Sequence, residues 1–162
     1  MSLEIERKFL VRSPAWREAA QRSQRMRQGY FGGTTLSSIR VRLAGSRCSL
    51  NIKSRIAGTT RDEYEYEIPR ADAEEMLARL CDGGEIDKIR HWVPCENHLY
   101  EVDEFFGENA GLVVAEIELD AETDVFPRPP WLGEEVTDDE RYYNHHLASR
   151  PWHAWRERTR EA

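Results

Sequence analysis

Acidic and basic side chains recur along this chain two residues apart. Glu4 and Glu6, Glu65 and Glu67, Glu101 and Asp103, and Glu116 and Glu118 make acid pairs; Arg40 and Arg42, Lys53 and Arg55, and Lys88 and Arg90 make basic ones. In an extended strand, residues i and i+2 share a face and lie roughly 6.5–7 Å apart, so each pair can converge on one ligand. Carboxylate oxygens are what hard divalent cations take as ligands. Guanidinium forks and ammonium groups match phosphate oxygens. The combination describes chemistry on a polyanion with a metal ion between it and the acids. No glycine-rich phosphate loop, GxGxxG turn or Ser-His-Asp arrangement occurs, so side chains and metal must do the phosphate binding.

The elements that would carry these pairs follow from period-two alternation. Glu4, Glu6 and Lys8 share one face and Ile5, Phe9 and Val11 the other. Arg40 and Arg42 alternate with Ile39, Val41 and Leu43; Asn51 and Lys53 with Leu50 and Ile52; Glu63, Glu65 and Glu67 with Tyr64, Tyr66 and Ile68. Lys88 and Arg90, Glu101 and Asp103, and Glu116 and Glu118 continue the pattern, and Arg25–Phe31 makes a less regular strand. These are about eight strands, the number at which a closed barrel just encloses a small ligand. A half-buried strand ordinarily turns its polar face to water. Here acids and bases sort into pairs across seven strands, so the consistent solution is a barrel with a charged interior and apolar faces packed outward. That many carboxylates can be buried only against cations.

Three helices are predicted to cover the outside. One opens at Ser13-Pro14 and runs to about Gln21; one starts at Asp72 with Glu75, burying Met76, Leu77 and Leu80. The third has capping-box spacing at Thr137 and Glu140 and spans about 138–148. Turns fall at Gly32-Gly33, Ala44-Gly45-Ser46, Ala57-Gly58 and Gly83-Gly84, and Phe126–Gly133 reads as a proline-stiffened connector. The fold class is α+β, dominated by an eight-stranded barrel, in a single domain over residues 1–162.

Composition limits the partners. The 162 residues are 40% hydrophobic and 33% charged, which suits a globular domain with its own core. The net charge of −7 argues against a nucleic-acid polymer as partner. No apolar run is long enough for a membrane helix. The three cysteines, Cys48, Cys81 and Cys95, fit neither a disulfide framework nor a CxxC site and point to the cytoplasm.

The opening Glu4-Ile5-Glu6-Arg7-Lys8 resembles the ExExK signature of the CYTH superfamily, the triphosphate tunnel metalloenzymes. The resemblance extends through Arg40 and Arg42, Lys53, the Glu63–Glu67 run, Lys88 and Arg90, Asp103, and Glu116 and Glu118, and the segment from Glu135 to Leu147 resembles that family's closing helix. It implies an eight-stranded antiparallel closed tunnel that acts on triphosphate groups with Mg2+ or Mn2+, in the short single-domain form; a homodimer is compatible with it.

On this reading Glu4, Glu6, Glu116 and Glu118 hold metal, with Asp103 assisting and Glu65 and Glu67 as further ligands or orienting groups. Lys8, Arg40, Arg42, Lys53, Lys88 and Arg90 grip phosphate, and Tyr30 is a further substrate contact. Glu4, Glu6, Lys8, Glu116 and Glu118 form the catalytic set. Arg55 sits at a strand end, and His91 departs from the family pattern. His145 and His146 point about 100° apart on a helix and read as surface residues. Trp152 and Trp155 are expected to anchor the C-terminus by packing. The expected reaction splits inorganic tripolyphosphate into pyrophosphate and phosphate. An organic triphosphatase acting on thiamine or nucleoside triphosphate, or an adenylyl cyclase, would use the same tunnel. A non-catalytic polyphosphate or nucleotide sensor would gain by losing the acids.

Overall fold

The computed structural model describes residues 2–31, 35–55 and 59–156. Its strands are β1 (Ser2–Val11), β2 (Arg22–Tyr30), β3 (Ser37–Ala44), β4 (Arg47–Ser54), β5 (Thr60–Glu67), β6 (Ile86–Cys95), β7 (His98–Phe105), β8 (Val113–Glu118) and β9 (Leu132–Glu135). They hydrogen-bond in the order β5-β4-β3-β2-β6-β7-β8-β1-β9, and β5 returns to pair with β1. That return, Ser2 to Ile5 against Glu63 to Thr60, closes eight strands into an antiparallel barrel. The ninth strand lies outside the ring, continuing along the same edge of β1 beside Phe9 and Val11. It falls at the end of the stretch read as a connector, where four residues offer too short an alternation to register as a strand.

The outward faces are apolar, as the alternation predicts, and pack in two places. Ile5, Phe9, Tyr100, Val102, Ala115 and Ile117 lie beneath Phe126, Trp131 and Leu132 of the connector and Trp16 of α1 (Trp16–Ala19). Val41, Leu43 and Cys48 lie beneath Ala73, Met76 and Leu77 of α2 (Arg70–Arg79). Each such side chain, fully buried, contributes about 1.5–3 kcal/mol. Helix α2 can approach this closely because Gly29 has no side chain: a Cβ there would stand 2.7 Å from both Cys81 Sγ and Leu77 Cδ1. The outward Tyr64 and Tyr66 of β5 are exposed.

Inside, the barrel changes character along its axis. Ile86, Phe105 and Val114 lie on the same strand faces as Lys88, Asp103 and Glu116, and they cluster with Leu112 under Leu147 and Ala148 of α3 (Asn144–Ser149). One end of the barrel is thus filled by an apolar plug sealed by a helix. The charged interior occupies the remainder.

The helices differ from expectation in extent. The first stops at Ala19 because the Gln21 N–H is drawn to the Trp92 carbonyl at 3.0 Å, which starts β2. The second begins at Arg70, after Pro69, so Asp72 lies inside its first turn instead of capping it, and Leu80 is exposed. Thr137 caps no helix: its hydroxyl accepts the Lys8 N–H at 3.0 Å and donates to Glu135 at 2.7 Å. The predicted third helix is broken into a 3-10 turn at Glu140–Tyr142, capped by Asp139, then α3 and α4 (Trp152–Trp155). Trp152 and Trp155 pack against the plug, as expected. Gly45 and Gly83 take left-handed φ values in their turns; the turns expected at Gly32-Gly33 and Ala57-Gly58 lie outside the described residues.

Candidate active site

The charged part of the barrel encloses a cavity of about 220 Å3. Strand β1 sends in Glu4, Glu6 and Lys8; β3 sends Ser38, Arg40 and Arg42; β4 sends Asn51 and Lys53; β5 sends Arg61, Glu63 and Glu65. Strand β6 contributes Lys88 and Arg90, β7 Glu101, and β8 Glu116 and Glu118. Tyr30 lies on the wall from β2, and Tyr143, Asn144 and His145 enter from the plug end. Of the paired residues singled out from the sequence, Arg55, Asp103 and Glu67 do not line the cavity. Asp103 is 1% exposed and lies beneath Lys88 and Arg90, while Glu67 is exposed at the end of β5.

Several lining residues were not singled out. Arg61 shares the parity of Glu63 and Glu65, so the alternation itself could have marked it; Glu63 and Glu101 stood in the alternation but were given no role. Tyr143, Asn144 and His145 belong to no strand, and nothing local signals that the chain returns there. His145 was expected on the surface and is instead half-buried in the lining. His91 lies outside the tunnel, beside Trp16 at 4.7 Å between ring centroids and 3.3 Å from Glu104.

Ion pairing divides the interior. Asp103 takes both Nε and Nη2 of Arg90, at 2.8 and 2.9 Å, and Lys88 Nζ at 2.7 Å. Arg90 also pairs with Glu101 and, at 3.6 Å, with Glu116. Lys53 stands 2.9 Å from Glu4 and 3.5 Å from Glu63, and Lys8 3.3 Å from Glu116. Among the described residues, no carboxylate is within ion-pair distance of Arg40, Arg42 or Arg61. Arg42 donates through Nε to Gln28 at 2.9 Å, and Arg61 lies on the Tyr143 ring at 4.5 Å. The Nε atoms of Arg40 and Arg61 are buried without an acceptor. In the strand order β3 stands across the barrel from β8, and β2 from β1. The under-neutralised arginines on β3 therefore face the acids of β1 and β8.

Proton affinities record the same division. Burial, then repulsion from Glu116, pushes Glu6 up to about 7. Glu4 and Glu118 are raised, in both cases first by burial. Burial would raise Glu116 too, but Lys8, Arg90, Lys88 and Lys53 together hold it well below the usual carboxylate range. On the other wall, burial followed by Arg40 and Arg90 lowers Arg42 to about 9. Burial lowers Lys88 to about 7 despite Asp103. Burial and the cations Arg55 and Arg61 lower His145 to about 4, leaving it neutral near pH 7.

The acid wall suits a hard divalent cation. Glu4, Glu6 and Glu118 are carboxylates whose negative charge is under-compensated, and oxygen donors of that kind are what Mg2+-like ions take. Among the described residues no three acidic or histidine side chains form a ready-made cage. A few carboxylates completed by water and phosphate oxygens are the usual arrangement for Mg2+. The lining carries seven carboxylates against seven lysines and arginines, so it has no cationic excess with which to attract a polyanion by itself. A cation on the acid wall would supply that excess.

A family model, the CYTH domain, matches residues 2–147. The chain is 44% identical to a protein of Acetivibrio thermocellus named inorganic triphosphatase, over 97% of this chain and 100% of that one. It is 37% identical to one of Nitrosomonas europaea bearing the same name, over 90% and 96%. A crystal structure described as that of an inorganic triphosphatase superposes with a TM-score of 0.66 and 34% identity, covering 91% of this chain and 95% of that chain.

Proposed function

The chain belongs to the CYTH domain family, and on that premise we propose that it hydrolyses inorganic tripolyphosphate to pyrophosphate and phosphate. The observation that carries this reading is the two-walled tunnel: arginines on β3 with no carboxylate partner among the described residues, and acids with raised proton affinity facing them on β1 and β8. Arg40 and Arg42 bind phosphate oxygens through forked, charge-assisted hydrogen bonds. Lys8, Lys53, Lys88 and Arg90 leave part of their attraction to the internal acids and turn it on the substrate, stabilising charge as the phosphoryl group transfers. Glu4, Glu6, Glu116 and Glu118 would hold Mg2+ or Mn2+, which would supply positive charge to offset the substrate's negative charge and lower the pKa of the attacking water. Asp103 keeps Lys88 and Arg90 aimed inward.

The inorganic substrate is favoured over an organic one by size. The charged cavity, about 220 Å3, is smaller than the roughly 300–1,000 Å3 that organic ligands usually fill. We place the enzyme in the cytoplasm, where three unpaired thiols stay reduced. The test is phosphate release from tripolyphosphate, thiamine triphosphate and nucleoside triphosphates, each with Mg2+, Mn2+ or EDTA. Tripolyphosphate should be turned over fastest and only with metal; faster turnover of an organic triphosphate would overturn the substrate assignment.

A further inference from the structure

The cations of the tunnel are aimed by more than acids. Asn144, the first residue of α3, reaches the interior from the plug end, and its Oδ1 accepts two hydrogen bonds from different walls. One comes from Lys88 Nζ on β6 at 2.9 Å, the other from Gln28 Nε2 on β2 at 3.0 Å. Gln28 is fully buried. Its Nε2 also donates to the Tyr30 hydroxyl at 2.9 Å, and its Oε1 accepts from Arg42 Nε at 2.9 Å.

An amide carries its donors on nitrogen and its acceptor on oxygen. The two acceptors Tyr30 and Asn144 hold the Gln28 nitrogen on their side, which leaves the oxygen facing the arginine. Without Asn144, Tyr30 is the one acceptor among the described residues that holds the amide nitrogen in place, and a rotated amide would present N–H groups to a guanidinium that can only donate. Asn144 Oδ1 also gives Lys88 its second acceptor besides Asp103, which fixes the direction of the ammonium group. A lysine held by one acceptor swings about it; one held by two does not.

We propose that Asn144 is a positioning residue that sets the aim of Lys88 directly and of Arg42 through Gln28. This rests on reading the tunnel as a triphosphatase site. The helix that seals the barrel thereby also aligns its phosphate-binding groups, because Leu147, one turn further along α3, seats in the apolar plug. Lys8 is held by the same segment, its Nζ 3.3 Å from the Tyr142 carbonyl.

The experiment compares the wild type with Asn144→Ala, Asn144→Asp, Gln28→Met, and the double variant Gln28→Met/Asn144→Ala, by steady-state kinetics on tripolyphosphate, calorimetric binding of tripolyphosphate, and thermal melts. Asn144→Ala should lose at least about tenfold in kcat/KM, the scale of one hydrogen bond to a charged group. Asn144→Asp keeps the carboxyl oxygen that both donors need and should recover most of kcat, with KM raised by the added negative charge. The double variant should lose no more than the larger of its single losses, since both residues act on Arg42 through one chain of bonds. A purely structural role would instead track the melting temperature and show no rescue by aspartate. Should Asn144→Ala fail to fold, Gln28→Met carries the test through Arg42 alone. Wild-type kcat/KM and wild-type affinity in the alanine variant, or losses that multiply in the double variant, would overturn the proposal. If the wild type releases no phosphate from tripolyphosphate, the functional reading fails; the calorimetric arm then still decides whether Asn144 aligns the anion-binding groups.

Discussion

Replacing Arg42 by methionine should make the empty protein more stable and the enzyme worse. The guanidinium is lowered from 12.5 to about 9, first by burial and then by Arg40 and Arg90. A base whose affinity for its proton is lowered in the fold is disfavoured wherever it stays charged. The cost is therefore fully present at pH 7 and would fade only as the pH rises past about 9. A fall of that size corresponds to an upper figure of about 5 kcal/mol. Against it stands the Gln28 carbonyl, which would lose its partner at a cost of about 1–3 kcal/mol. The balance is a gain of roughly 2 kcal/mol, or about 4–8 °C in melting temperature for a chain of this size. The lost contact to phosphate is worth about 1.5–3 kcal/mol, which lowers kcat/KM by about 10- to 150-fold. Thermal melts without metal or substrate, paired with tripolyphosphate kinetics at saturating metal, read both numbers. A variant that melts lower than the wild type while keeping kcat/KM within about threefold would refute the reasoning, since Arg42 would then serve the fold and not the substrate.

Four further outcomes are expected. Removing divalent metal with EDTA should abolish phosphate release and adding Mg2+ or Mn2+ should restore it, because seven carboxylates otherwise face the substrate; undiminished turnover in chelator would count against the acid wall as a cation site. Glu6→Gln should abolish turnover while flattening the pH dependence of stability. A carboxyl raised from 4.5 to about 7 binds its proton more tightly folded than unfolded, so its contribution declines as pH rises through that window, and melts across it show whether the slope disappears. Arg40→Ala should fold normally and lose activity, measured by melting temperature beside kcat/KM. Val41→Asp should unfold the barrel, since Val41 is 0% exposed beneath α2 and an unpaired buried charge costs several kcal/mol; a stable, inactive Val41→Asp would mean the strand faces are reversed.

The division between inside and outside was legible in the sequence because a strand has only two faces. Once Arg40 and Arg42 are assigned to one side, Val41 must lie on the other, and the same parity carries Glu4, Glu6 and Lys8 against Ile5 and Phe9. Strand number and closure around a charged interior followed from repeating that pattern; antiparallel order came only with the family resemblance. The helices were placed with less accuracy because their limits depend on partners far away in the chain. Trp92 ends α1 by taking the Gln21 N–H, and β1 claims the hydroxyl of Thr137 that local spacing assigned to a cap.

What tertiary structure alone decided is which charge meets which. Alternation shows that Lys88, Arg90 and Asp103 point inward, but only the register of β6 against β7 sets Arg90 opposite Asp103, and only that of β3 against β2 and β4 sets Arg40 and Arg42 beside Tyr30, Gln28, Asn51 and Ser49 instead of acids. It also decided where the charged interior stops. Ile86, Phe105 and Val114 obey the same parity as their charged neighbours and differ only in depth along the barrel, which has no signature in a strand's own residues. Tyr143, Asn144 and His145 reach the site because closing the plug brings a distant segment across the barrel's end, and no local rule of spacing relates residue 144 to residues 28 and 88.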